Sequence, residues 1–194
     1  MIDIDELDEK FSIEGEVGFF EFEENMVSIT VSNKFADAEI SLYGAHLLSY
    51  RPQGRMDILW MSDESFFEIG KPIRGGIPVC FPWFGPHKTD AGKPQHGFGR
   101  LMTWDLVSTA TLPSGETEIV LGLASSEETK AYWPHDFYAE MKFTIGPKLT
   151  ATLKVTNTSD GSFDYTCALH SYYSISALEN ISLEGLKKTT YFNQ

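Results

Sequence analysis

The sequence is poor in cysteines, in cations and in long apolar runs, and each shortage excludes a class of protein. Its two cysteines, Cys80 and Cys167, cannot form the disulfide framework of a small secreted domain, so we expect two free thiols. No apolar stretch approaches the ~18 residues that a membrane span requires. The acidic start, MIDIDELDEKF, lacks the basic residues and apolar stretch of a secretory signal, so we expect a cytoplasmic protein without a membrane partner.

The shortage of cations is uneven along the chain. There are 15 basic and 28 acidic side chains, and the resulting net charge of −13 argues against nucleic acid or an anionic membrane as a partner. Residues 51–100 instead hold seven cations and five acids, a balance of +2 that leaves −15 elsewhere. Such a region suits a small anionic ligand, because acids beyond the Debye length of ~8 Å are screened. Scattered charge on a solvated loop explains the same balance equally well.

Length and composition predict a single all-β domain over residues 1–194. Aromatic residues make up 13% of the chain, and many β-branched residues accompany them. Short alternating segments are separated by turn residues every eight to twelve positions or so, which is typical of an antiparallel β-sandwich. A short acidic helix is expected over Ile2–Phe11. The segments with strand character are residues 18–23, 26–33, 37–52, 57–62, a hairpin at 102–126 around Pro113-Ser114-Gly115, a hairpin at 137–159 around Gly146-Pro147, and residues 162–176.

The stretch from Lys71 to Arg100, KPIRGGIPVCFPWFGPHKTDAGKPQHGFGR, combines glycine, proline, aromatic rings, two histidines and five cations. Structural hairpins do not need this mixture, and the bare glycine backbone leaves room for a ligand. Lys71 and Arg74 bracket a Gly-Gly pair whose amides could form an anion nest suited to phosphate. We therefore interpret the stretch as the wall of a binding site.

The run QHGFGR carries a second candidate group. If it is extended, His96, Phe98 and Arg100 point to one side, where the planar fork of Arg100 suits vicinal hydroxyls or a carboxylate. Phe98, Trp83 or Phe84 could stack on the apolar face of a sugar. Aromatic rings in such a stretch are more often part of the core, and we assign Phe84, together with Phe81, to the core.

His170 lies in the segment SFDYTCALHSYYSIS. In an extended strand it shares a face with Thr166, Ala168 and Tyr172, so small residues leave space in front of the imidazole. An imidazole with an ordinary pKa near ~6.5 can exchange a proton at cellular pH. A hydrogen-bonded structural histidine is the competing interpretation, and we assign His46, His87 and His135 to that role.

These residues also carry a resemblance to a known family. The sequence resembles the aldose 1-epimerase superfamily, in its hexose-6-phosphate mutarotase branch, from near Val17 to the last residue. RGGIPVCFPWFG followed by HGFGR is the most specific part of the match. The other matching motifs are GAHLLSYRP, DILWMS, a tryptophan at Trp104, YWPHDF and ALHSYYSI.

The resemblance implies a galactose-mutarotase-like β-sandwich that interconverts the α and β anomers of a hexose 6-phosphate, with no metal or organic cofactor. It makes His170 the general acid that acts on the ring oxygen. It also makes His96 and Arg100 ligands of sugar oxygens. By the same resemblance, the residues associated with the phosphate are Lys71, Arg74 and, as a third member, Arg51.

The chain departs from the family at its C-terminal end. The resemblance implies a glutamate general base in a C-terminal portion, and no residue of this chain matches it, so we expect a sandwich that is truncated there. Glu184 lies near a family motif but not at that position. One alternative is a module that binds a phosphosugar without turning it over. Another, a metal-dependent cupin-like enzyme, is disfavoured because the chain lacks a His-x-His pair and compact ligand spacing.

Overall fold

Two antiparallel four-stranded sheets dominate the computed structural model, which describes residues 2–190. The first sheet has the strand order β1-β2-β3-β4 and the second the order β6-β7-β8-β9, while β5 and β10 form a short antiparallel pair. The strands are β1 (Val17–Glu23), β2 (Met26–Ser32), β3 (Ala36–Ser41), β4 (His46–Pro52), β5 (Val79–Cys80), β6 (Asp105–Thr111), β7 (Thr117–Ala124), β8 (Phe137–Ile145), β9 (Leu149–Asn157) and β10 (Ala168–Leu169). This arrangement confirms the prediction of an antiparallel all-β fold.

One hydrophobic core lies between the two sheets. It joins buried residues of the first sheet, such as Ile29 and Ile40, to Ile119 and Phe143 of the second. Large side chains buried in this way contribute roughly 1.5–3 kcal/mol each relative to exposure. The hydroxyl of Tyr50 also donates to the carbonyl oxygen of Gly146 at 2.8 Å, which links β4 to the turn between β8 and β9. The two sheets therefore form a sandwich.

Both predicted hairpins and the N-terminal helix are present. β6 and β7 flank the turn at Pro113-Ser114-Gly115, and β8 and β9 flank the turn at Gly146-Pro147. Helix α1 (Ile4–Phe11) begins after Asp3, whose carboxylate accepts a hydrogen bond from the Glu6 N–H at 3.2 Å. A second helix that we did not predict, α2 (Glu127–Tyr132), begins at a capping box formed by Ser126 and Thr129. Two short 3₁₀ helices span Gly99–Leu101 and Leu178–Asn180.

Three strand predictions need correction. Residues 37–52 form two strands instead of one, because the chain turns at Gly44 and Ala45, which have φ angles of +79° and +45°. Residues 57–62 form no strand and make only isolated bridges through Leu59 and Met61. Within residues 162–176 only β10 is a strand, so the backbone around His170 is mostly irregular.

The two cysteines are free, as predicted: Cys80 is buried in β5 and Cys167 is exposed beside β10. None of the helices within residues 2–190 has the length and apolar character needed to span a bilayer.

Candidate active site

Residues 74–78, here called the strap, cross between β4 and the segment that carries His170. Gly75 and Gly76 have φ angles of +108° and +59°. A Cβ at Gly75 would lie 2.5 Å from the Trp60 carbonyl oxygen, and one at Gly76 would lie 2.3 Å from the Leu47 carbonyl oxygen. Both positions therefore require glycine. The predicted anion nest is wrong for Gly76, because its N–H donates to the Trp60 carbonyl oxygen at 2.8 Å.

The strap also fixes the backbone on both sides of the His170 side chain. The His170 N–H donates to the Pro78 carbonyl oxygen at 3.1 Å, and the Tyr172 N–H donates to the Gly76 carbonyl oxygen at 2.9 Å. The imidazole of His170 then packs against the ring of Tyr172, with ring centroids 4.9 Å apart. His170 is thus held at Pro78, the last residue of the strap, whereas Arg74 occupies its first position.

His96 reaches the same region from a turn. Its φ of +65° and the 3₁₀ helix that starts at Gly99 show that QHGFGR is not extended, and Phe98 is fully buried in the core. The prediction that His96, Phe98 and Arg100 share one side of a strand is therefore wrong. The His96 and Arg100 side chains nevertheless border one cavity. The His96 ring centroid lies 6.0 Å from that of His170.

A backbone hydrogen bond fixes the proton of His96. The Gly85 N–H donates to His96 Nδ1 at 3.1 Å, so the neutral ring carries its proton on Nε2. Partial burial lowers the pKa of His96, and the proximity of Arg100 and of the His170 ring lowers it further. His96 is thereby suited to donating a hydrogen bond from Nε2 while remaining uncharged.

Arg100 is partly buried without a counterion. Its Nη2 donates to the Gln95 carbonyl oxygen at 2.8 Å, while its buried Nε has no hydrogen-bond partner among the described residues. Burial lowers the pKa of Arg100, and the nearby charge of Arg74 acts in the same direction. Within residues 2–190, neither arginine has a carboxylate oxygen within 4.0 Å. Two guanidinium groups are therefore available to an anion.

The side chains of Arg74, His96 and Arg100 meet at a cavity of about 410 Å³, and His170 is not among the described residues that line it. The described residues that line it include no carboxylate; they are Pro72, Ile73, Arg74, Pro78, Pro94, Gln95, His96, Arg100, Leu101 and Tyr172. An adjoining cavity of about 780 Å³ shares Arg74 and Tyr172 with it and has two carboxylates in its wall. Its other lining residues are Trp60, Ser62, Asp63, Glu64, Ser65 and Phe66. The arrangement can hold an anionic, hydroxyl-rich molecule beside an imidazole, since cations and hydrogen-bond donors converge there.

Lys71 and Arg51, both predicted to contact a phosphate, do not line either cavity. The Lys71 ammonium pairs with Glu68 at 2.7 Å and lies 4.7 Å from the ring centroid of Phe66, which borders the larger cavity. Arg51 lies in β4, where its Nη2 pairs with Asp37 of β3 at 3.0 Å. Lys71 is therefore near the site, whereas Arg51 is engaged in a pair between neighbouring strands.

Trp83 and Phe84 face a different cavity, of about 180 Å³. Trp83 is largely buried, and its Nε1–H donates to the Pro94 carbonyl oxygen at 2.9 Å. The assignment of Phe84 to the core is wrong: 49% of its surface is exposed, whereas Phe81 is fully buried as predicted. The Phe84 ring lies 4.8 Å from that of His96 and 6.1 Å from that of His170, so it borders the small cavity and packs near both imidazoles.

One residue of the site, Tyr172, had no role predicted from the sequence. Tyr172 lines both larger cavities and packs against His170 and Trp60. The sequence did contain a signal that Tyr172 belongs to the site, because it lies two residues after His170 and alternate residues of an extended segment share a face. His46 was predicted to be a hydrogen-bonded structural histidine, and its burial in β4 and its hydrogen bond to the Gly75 carbonyl oxygen confirm this. No group of three or more potential metal ligands occurs among the described His, Cys, Asp and Glu residues.

The fold and the cavity together define an antiparallel β-sandwich with a cationic, histidine-bearing pocket. A sequence profile of the aldose 1-epimerase family matches residues 27–194, and the chain belongs to that family.

Relatives and solved structures agree with this assignment. A protein of Escherichia coli K12 named "Putative glucose-6-phosphate 1-epimerase" is 40% identical over 158 residues, which cover 81% of this chain and 52% of that protein. One of the same name from Cenchrus ciliaris is 34% identical, with coverage of 80% and 49%. A crystal structure described as a "putative mutarotase" from Salmonella typhimurium superposes with a TM-score of 0.78 at 34% identity, covering 85% of this chain and 54% of that one. The chain spans about half the length of these relatives.

Proposed function

We propose that this chain recognises an aldohexose 6-phosphate and interconverts its α and β anomers. The observation that carries the proposal is the charge of the 410 Å³ cavity, where Arg74 and Arg100 have no carboxylate partner among the described residues. Unpaired guanidinium forks bind phosphate well, because two N–H groups match two phosphate oxygens. The names of the relatives, which specify glucose 6-phosphate, support the same substrate class.

In this proposal His170 transfers the proton that opens the sugar ring. It donates to the ring oxygen O5 while a solvent water molecule accepts the proton of the anomeric hydroxyl, which gives the open-chain aldehyde. Rotation about the C1–C2 bond and closure on the other face then yield the other anomer. A positioned acid of this kind typically contributes about 10²–10⁴ in rate.

The other groups hold the sugar. His96 presents a neutral Nε2–H to a sugar oxygen and is unsuited to act as the base, because its Nδ1 accepts the Gly85 N–H. Arg100 binds a second sugar oxygen, and Arg74 binds the phosphate. Lys71 lies beside the larger cavity, where it can approach the phosphate from outside. Arg51 and Trp83 take no part in this proposal.

One observation favours a second candidate function, a phosphosugar-binding module without turnover. Anomer exchange needs a group that removes the hydroxyl proton, and no carboxylate is among the described residues that line the 410 Å³ cavity. Binding requires only the arginines and His96. The two functions therefore predict different rates of anomer exchange but the same preference for the phosphorylated sugar.

The test is magnetisation exchange between the α and β anomeric protons of glucose 6-phosphate in the presence of the chain, with glucose measured beside it. We expect faster exchange for the phosphorylated sugar only. Exchange that is not accelerated, with line broadening that reports binding, leaves the binding module. If glucose 6-phosphate shows neither accelerated exchange nor line broadening, both functions are excluded.

A pair of matched variants tests the arginine assignment. Arg74→Ala should weaken glucose 6-phosphate binding about 10- to 100-fold, because a charge-assisted hydrogen bond is lost. Arg51→Ala removes the same charge at a site outside both larger cavities and should leave the dissociation constant nearly unchanged. Equal effects of the two substitutions would contradict a local phosphate contact. Isothermal titration calorimetry measures both constants.

A further inference from the structure

His46 is a buried histidine that the proposed chemistry does not use. It opens β4 and is only 1% exposed, and its Nε2 lies 2.8 Å from the carbonyl oxygen of Gly75. A carbonyl oxygen can only accept a hydrogen bond, so the imidazole must carry its proton on Nε2 and donate it. His46 is therefore bonded directly to the strap, at the residue after Arg74.

The carbonyl that His46 satisfies belongs to Gly75, which is tightly packed against Trp60 and Met61. Three other strap carbonyls have backbone donors, since Ser62 donates to Arg74, Tyr172 to Gly76 and His170 to Pro78. Gly75 is buried, and none of the described backbone N–H groups donates to its oxygen. Without His46 this carbonyl would be buried and unpaired, and the peptide could relieve that only by rotating.

A rotation of the Gly75 peptide would reach both sides of the site. Toward the N-terminus it would displace Arg74, whose N–H and carbonyl are held only by the Ser65 hydroxyl at 2.9 Å and the Ser62 N–H at 3.1 Å. Toward the C-terminus the same peptide carries the Gly76 N–H, whose hydrogen bond to the Trp60 carbonyl oxygen at 2.8 Å resists a shift of Gly76. Arg74 is thus the more movable neighbour.

An imidazole suits this position because it donates a hydrogen bond without adding charge. Burial lowers the pKa of His46 to about 4, and the charge of Arg100 acts in the same direction, so the ring is neutral at cellular pH. A lysine or arginine donor here would add a third positive charge near Arg74 and Arg100 and would itself be buried without a counterion.

We propose that His46 is a positioning residue for phosphate recognition: through its hydrogen bond to Gly75 it holds Arg74 where the guanidinium meets the phosphate of the sugar. This inference rests on the proposed function, because it assigns Arg74 the phosphate. It concerns specificity between phosphorylated and free sugar and not the proton transfer by His170.

Two substitutions at His46 separate hydrogen bonding from bulk. His46→Leu keeps an apolar side chain of similar size but has no donor, whereas His46→Gln can still donate from its amide nitrogen. We expect His46→Leu to weaken glucose 6-phosphate binding about tenfold with little effect on glucose, as for one hydrogen bond. His46→Gln should recover most of the loss. Calorimetric titrations of both sugars against all three proteins give the comparison.

The outcomes distinguish this inference from the proposed function. If the unmodified chain does not prefer glucose 6-phosphate, both are overturned. If it does, and His46→Leu retains the preference or weakens both sugars equally, only the role of His46 is overturned. A second measurement does not depend on a folded variant: nitrogen-15 NMR of the unmodified chain should show His46 protonated at Nε2 and not at Nδ1. The opposite tautomer would overturn the inference.

Discussion

The three histidines near the strap differ because each has a different hydrogen-bond partner. His96 accepts a backbone N–H at Nδ1, and His46 donates to a backbone carbonyl from Nε2. The ring nitrogens of His170 have no hydrogen-bond partner among the described residues. A ring held by the backbone keeps one tautomer, whereas neither ring nitrogen of His170 is committed to a partner among the described residues. This contrast supports the assignment of proton transfer to His170.

The buried His46 predicts how stability depends on pH. Its pKa is about 4 in the folded chain and near its ordinary value of 6.5 when unfolded, so the unfolded state binds more protons between these values. The free energy of unfolding should therefore fall as the pH decreases from 6.5 toward 4. Urea unfolding at pH 7 and pH 5 should differ by about 2 kcal/mol from His46 alone. His96, whose pKa is also lowered, adds in the same direction.

His46→Gln serves as the control for this measurement, because glutamine does not titrate. Between pH 7 and pH 5, the free energy of unfolding of this variant should fall by about 2 kcal/mol less than that of the unmodified chain. Equal losses would mean that His46 is accessible to protons in the folded state.

At the scale of elements, irregular segments bring the candidate groups together, and glycines allow their close approach. Gly97 is the tightest case, with a φ of +73° and a site where a Cβ would lie 2.1 Å from the Phe81 carbonyl oxygen. The Gly99 N–H also donates to this oxygen, at 2.8 Å. The turn that carries His96 is thus anchored on the residue that follows β5.

Gly97→Ala should destabilise the fold and displace His96. The backbone strain of a side chain at positive φ costs about 1–3 kcal/mol, and the contact with Phe81 adds to it. Gly161→Ala is the matched control, because a Cβ there meets no atom within 4 Å and the backbone is not left-handed. We expect that variant to differ from the unmodified chain by less than about 1 kcal/mol. Urea unfolding measures the stability of both variants. Similar free energies of unfolding would contradict the close approach of Gly97 to the Phe81 carbonyl oxygen.

At the scale of the whole molecule, charge and apolar surface are both unevenly distributed. The chain carries a net charge of −13, yet the 410 Å³ cavity is lined by two arginines and no described carboxylate. Residues 173–186 carry a series of exposed apolar side chains, which are Tyr173, Ile175, Leu178, Ile181, Leu183 and Leu186. Concentrated apolar exposure of this kind favours association with other apolar surfaces.

Exposed apolar side chains in residues 173–186 should bind the dye ANS and promote self-association. Replacing Leu178 and Leu183, which expose 74% and 81% of their surface, by serine should lower dye fluorescence and the sedimentation coefficient at high protein concentration. Met56→Ser removes a side chain that is 86% exposed in a different segment and should change neither quantity. Unchanged dye binding in the double variant would show that this segment is not the associating surface.

Alternation and turn residues made much of the β-sandwich predictable from sequence. The hairpins around Pro113-Ser114-Gly115 and Gly146-Pro147 lie where glycine and proline predict them, because these residues impose turns locally. Helix α1 follows its acidic first turn and the capping Asp3. The motif run from RGGIPVCFPWFG to HGFGR also determined the family, which the comparisons confirm.

Only the tertiary structure decided which side chains of the Lys71 to Arg100 stretch share a cavity. Alternation predicted His96 and Arg100 on one side of a strand, yet they border one cavity through a turn whose Phe98 is drawn into the core. Arg51 pairs with Asp37 and lies outside the cavity that Arg74 lines. Phe84 is exposed and not part of the core. The physical reason is the range of the interactions involved. A strand or turn is determined by residues close together in the sequence, whereas the direction of a side chain in an irregular segment is set by contacts with residues distant in the sequence.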